Sequence, residues 1–108
     1  MRLINLTPHD IIIRLPDGDR VIPASGTVAR VATSYEHVGD VDGIPVSAQT
    51  FGQIEGLPEP RNGVVYVVSA IVLAAAKELG RTDVVAPDTA RAIRNEAGQI
   101  VAVPGLVR

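Results

Sequence analysis

Two histidines, nine arginines, one lysine and twelve carboxylates are the chemical resources of this 108-residue chain, and cysteine is absent. His9 stands in Thr7-Pro8-His9-Asp10, where Asp10 could steer an imidazole acting as base or ligand. His37 is the other imidazole and no third partner accompanies either, so a turn histidine that bonds backbone is the simpler reading. A zinc site needs three or four ligands at closed spacing, and neither histidine has them. Asp40-Val41-Asp42-Gly43 lacks the further oxygen ligands and terminal Glu of a calcium loop and reads as a hairpin tip. Without thiols there is no disulfide framework and no thiolate metal site. No cofactor or metal is expected.

Ser69 sits where a β-branched run turns into a helix, the place of a hydrolase nucleophile, but Val67 and Ile71 stand where the flanking glycines belong. It reads as a helix cap. The same absence of glycine excludes a Rossmann or Walker phosphate loop, although the free amides of a helix start still attract anions. The polar segment Arg81 to Arg91 has two open readings. Arg81, Asp83, Asp88 and Arg91 either line a pocket, with Arg on phosphate and Asp on hydroxyls, or pair with one another and pin the strand end.

Composition bounds the partners. Net charge is −2, which disfavours generic coating of DNA. Tyr35, Phe51 and Tyr66 are the whole aromatic set, too few to stack bases as an RNA-binding sheet does. Neither DNA nor RNA is therefore an expected partner. No apolar run approaches the roughly 18 residues of a membrane span, and the polar turn after Asn5 is unlike a signal peptide. The expected location is the cytoplasm. Yet 46% of the residues are apolar. One helix cannot cover both faces of a small sheet, so apolar surface is expected to be hidden against another copy of the chain.

These groups must be positioned by short elements. Arg2 to Leu6, Ile11 to Leu15, Arg20 to Ile22, Thr27 to Ser34, Ile44 to Ile54, Val64 to Val68 and Asp83 to Ala86 read as strands. Ile11-Ile12-Ile13 suggests burial on both faces. Pro16-Asp17-Gly18-Asp19 reads as a hairpin turn of positive φ. A C-terminal hairpin joins Ala90–Arg94 to Gln99–Val103, and the proline-rich loop 55–63 is restrained and ordered. The one helix runs over about 69–79, from the Ser69 cap to Gly80. Its apolar arc of roughly 200° calls for a second contact beyond a sheet face. The fold class is α+β, mostly β: a small antiparallel or mixed sheet of short hairpins packed on one helix, forming a single domain over 1–108.

Several segments together resemble a family of small proteins encoded in bacteriophage and prophage genomes, many from actinobacteria. They are Asn5-Leu6-Thr7-Pro8-His9, Ile22 to Val31, Glu55-Gly56-Leu57-Pro58, Tyr66 to Ala70, Arg81 to Asp88, and Arg94 to Val101, which run nearly end to end. The resemblance implies a phage origin and carries no site pattern. Small oligomeric phage proteins without catalytic sets are often structural parts or counter-defence proteins. The leading expectation is a non-enzymatic homo-oligomer, acting in an infected bacterium, that sequesters a small anionic nucleotide-like signal such as a cyclic nucleotide or an ADP-ribose derivative. Its expected ligand contacts are Thr7 and His9 in the first loop, Arg61 in the proline loop, and Arg81, Asp83, Asp88 and Arg91. The alternatives are a structural or host-protein-binding module without a small ligand, and a small hydrolase built on His9 and nearby carboxylates.

Overall fold

A computed structural model describes all residues, 1–108. Four strands form the central sheet: β1 (Arg2–Asn5), β6 (Val64–Val67), β7 (Val84–Pro87) and β10 (Leu106–Val107), in the order β1-β6-β7-β10. The first three are parallel and β10 is antiparallel to β7, so the sheet is mixed. Parallel neighbours need a crossover, and helix α1 (Ala70–Glu78) supplies the one between β6 and β7.

Local chemistry fixes the ends of α1. Ser69 holds extended φ/ψ and its Oγ accepts from Val72 N at 3.5 Å. At the other end Gly80 takes φ +77°, with Arg81 N donating to Ala76 O at 3.0 Å and Gly80 N to Lys77 O at 3.0 Å. That closes the last turn as a Schellman motif, which a glycine at this position favours.

The sheet is covered on both faces by its own chain. Strand pleating sends Tyr66, Val68, Val84 and Ala86 toward α1, where they pack with Val72, Leu73 and Ala76. Val65, Val67 and Val85 point the other way, onto Ile11, Ile13, Ile22 and Val103. The second layer comes from the hairpin of β2 (Ile11–Leu15) and β3 (Gly18–Ile22), with a smaller hairpin of β8 (Ile93–Arg94) and β9 (Ile100–Ala102) beside it. The expectation that a lone helix leaves one face bare is thus corrected: hairpins close it. Ile11 and Ile13 are buried while Ile12 is exposed, so this triple alternates and is not buried on both faces. Leu15 pairs with Gly18, which makes Pro16 and Asp17 the connecting residues. Proline fixes a negative φ, so the left-handed step falls on Gly18 alone, at +127°.

The apolar surplus lies elsewhere. β4 (Arg30–Val41) and β5 (Ile44–Glu55) form a ribbon of two 12-residue strands, and none of their residues is buried. The chain predicts a strand ending at Ser34, but pairing runs on to Val41↔Ile44. The tip turns through Asp42 and Gly43, both at positive φ. That is the backbone of a tight hairpin turn matched to strand twist. The base of this arm is the second contact of α1. The arm also makes the molecule long, at 51 × 39 × 21 Å, with a Cα radius of gyration of 16.3 Å. A compact chain of this length has about 13 Å. No helix is long and apolar enough to cross a membrane.

Candidate functional site

The chain leaves β1 and β6, which are neighbours, toward opposite faces. After Asn5 it goes to the β2–β3 layer, and after Val67 it goes to α1. Diverging connections from adjacent parallel strands open a crevice outside their carboxyl ends. A cavity of about 500 Å³ lies there. Thr7, His9 and Asp10 border it after β1, Ser69 and Ala70 after β6, and Pro87 and Thr89 after β7. Ile11, Ile12 and residues 100–103 of β9 and its exit make its apolar wall.

Asn5 builds the first loop. Its side chain is buried and fully used: Nδ2 donates to His9 O at 2.9 Å and to Ile22 O at 3.0 Å, and Oδ1 accepts from Thr7 N at 2.9 Å. The Thr7 hydroxyl lies 2.7 Å from Asn5 Oδ1 and 3.0 Å from His9 O. Asp10 Oδ1 accepts from Ala24 N at 2.8 Å, tying the loop to the chain after β3. The loop is therefore held rigidly by one buried amide, and the exposed His9 ring projects from a fixed backbone. At the cavity's other side, the first amides of α1 have no intrahelical acceptor and leave partial positive charge beside Ser69 and Ala70.

The structure divides the seven residues singled out from the sequence between two ends of the sheet. Thr7, His9, Asp88 and Arg91 follow the carboxyl ends of β1 and β7. Thr7 and His9 border the cavity, whereas Asp88 and Arg91 bond each other beside it. The Asp88 side chain is buried at 5% exposure and accepts from Arg91 Nε at 2.7 Å, while the Arg91 side chain is 77% exposed. Arg61, Arg81 and Asp83 precede β6 and β7, at the opposite end. Arg81 donates through Nε to Asp83 Oδ1 at 2.9 Å and through Nη2 to Asp83 Oδ2 at 2.8 Å and Pro58 O at 2.9 Å. This pair pins the proline loop, helped by Tyr66, whose hydroxyl donates to Glu59 O at 3.3 Å. The hydrogen bond from Arg81 holds the Asp83 carboxyl below its ordinary value against the opposing effect of burial, and the same bond raises Arg81. Of the two readings of this segment, pairing describes the geometry. The seven do not converge on one cleft.

Sequence reasoning misses Asn5, Thr89 and the β9 wall, while Asp10, expected to steer His9, accepts from Ala24 N instead. Asn5 two residues before Thr7 is an Asx-turn pattern and was a usable signal. The wall was not, because β9 reaches the cavity only through tertiary packing. No family model, no curated protein and no solved structure matches this chain.

Proposed function

We propose that the protein is a non-enzymatic, homo-oligomeric phage protein that captures a small anionic nucleotide-like signal, a cyclic nucleotide or ADP-ribose derivative, in the cytoplasm of an infected bacterium and so counters host defence. The observation that carries the binding part of this reading is the crevice at the carboxyl ends of β1, β6 and β7. Its wall of Ile11, Ile12 and Val103 suits a base or other planar apolar body. The Thr7, Ser69 and Thr89 hydroxyls and the start of α1 suit sugar hydroxyls and a phosphate. The ligand contacts then narrow to Thr7 and His9 among the residues expected from sequence, joined by Ser69 and Thr89. Arg81 and Asp83 pin the proline loop at the far end of the sheet, where Arg61 also lies.

Calorimetry against a panel of cyclic nucleotides and ADP-ribose derivatives tests this. Binding to at least one member is expected, weakened about tenfold by Thr89→Ala or Thr7→Ala through loss of one hydrogen bond to the ligand. Absence of heat and of thermal shift across the panel overturns it. The exposed β4–β5 arm favours a second reading, a structural or host-protein-binding module without a small ligand. Co-purification with virions or with one host protein, together with a silent calorimeter, supports that reading instead.

A further inference from the structure

The β4–β5 arm is an incomplete structure. A two-stranded ribbon is marginal in water, and stable sheets need a third strand or a packed face. Both outer edges of this ribbon are unpaired along 12-residue strands, beyond the base that touches α1. β5 guards its edge with Pro45, which has no amide hydrogen. β4 has no proline and no lysine, and carries β-branched and aromatic residues at Val31, Thr33 and Tyr35. It is the edge open to pairing.

We infer that β4 pairs antiparallel with β4 of a second copy, about a two-fold axis at Thr33. The proposal rests on the homo-oligomeric part of the function above and names its interface. In an antiparallel pair, directly opposite residues share a face, so the axis must pass through a residue. β4 carries an extra residue of its own only between His37 and Gly39, so the ladder must lie before that bulge; at the shift between Val31 and Thr33 the extra residue is on β5. Within those bounds an axis at Glu36 sets two carboxylates against each other, and axes at Ser34 or Tyr35 pair no charges. The axis at Thr33 sets Arg30 against Glu36 of the second copy, twice by symmetry, and Val31 against Tyr35 of the second copy. Arg30 lies across the ribbon from Glu55 but makes no ion pair with it, and Glu36 lies across from Ala48. Both side chains are exposed and free to pair between copies.

The same register has a second fit. Beside Val31 lies a cavity of about 270 Å³, lined by Leu6, Pro8, Arg30, Ile71 and Val72. Tyr35 is 69% exposed on its own chain. Placed opposite Val31, Tyr35 of the second copy covers this apolar hollow at the start of α1, and the two ribbons become one four-stranded sheet.

Sedimentation and light scattering on the unliganded protein test the inference. A mass of twice 11.3 kDa is expected. Arg30→Glu alone and Glu36→Arg alone each weaken the dimer about tenfold or more, and the double reversal restores it to within about threefold. Tyr35→Ser weakens it without changing the circular dichroism of the exposed arm's parent fold. A single-subunit mass at every concentration overturns the proposal and leaves the arm to a different protein. A dimer indifferent to both charge reversals also overturns it. Because mass is read without nucleotide, a monomer that still gives heat in the calorimeter sinks this interface alone. A rescued dimer that gives none sinks the ligand reading alone.

Discussion

Arg81 clasps Asp83 two residues away in a bidentate pair, Nε to Oδ1 at 2.9 Å and Nη2 to Oδ2 at 2.8 Å, with side chains only 18% and 17% exposed. The free Nη2 hydrogen goes to Pro58 O, so one guanidinium joins the start of β7 to the proline loop. Asp83 is held below its ordinary value by the Arg81 hydrogen bond. A depressed carboxyl stabilises the fold above its unfolded value, about 3.9, and loses that contribution as pH falls through its folded value. Asp83→Asn should cost about 1–2 kcal/mol at neutral pH and flatten the acid limb of a stability-against-pH curve below about pH 4. Urea melts at a series of pH values would check both.

Asn5→Ala should be the most damaging polar substitution. It strips Ile22 O and Thr7 N of this partner in a buried site and leaves His9 O with the Thr7 hydroxyl alone. Leaving such groups unsatisfied costs about 3 kcal/mol in total. The thermal midpoint should drop by more than about 10 °C, given about 4–8 °C per kcal/mol for small domains. Scanning calorimetry reads it.

Gly56 and Gly63 offer a matched comparison. Both have positive φ, +81° and +74°. A Cβ at Gly56 would stand 2.5 Å from Val28 O, whereas one at Gly63 meets nothing within 4 Å. Gly63→Ala should cost about 1 kcal/mol for the left-handed conformation alone, and Gly56→Ala about 2–4 kcal/mol because backbone must also move. Equal losses in denaturant melts would refute the steric part.

Ser69→Ala removes the side-chain acceptor for Val72 N. At 3.5 Å that bond is long, so the loss should sit near about 0.5–1 kcal/mol, and Ser69→Asp should recover it by favouring the helix start. If the cavity takes a phosphate at the same helix start, Ser69→Asp should restore stability while weakening nucleotide binding, by like-charge repulsion. Paired thermal melts and titrations separate the two effects.

Much of the molecule was legible in its local sequence. The helix from Ser69 to Gly80 is written by a hydroxyl cap, an apolar arc and a glycine end, all local signals. The Asp42-Gly43 tip and the β-branched run of β6 are equally local. The contacts were less legible. Ile11-Ile12-Ile13 looks uniformly buried because all three are isoleucine, and only its partner layer shows Ile12 facing out. Strand β10 is two residues long and owes its existence to β7. Arg81 and Asp88 are seven positions apart in one polar segment, yet β7 carries them to opposite ends of the sheet.

The sequence by itself determined the helix and its caps, the hairpin turns and the α+β class, because these depend on side-chain size, φ preference and hydrogen bonding within a few residues. Only the tertiary structure decided which faces are covered, where the crevice opens, and that the ribbon of β4 and β5 stands free. Those outcomes depend on strand order and on the direction in which each connection leaves the sheet. Both are set by packing between segments far apart in the chain, which no local pattern records.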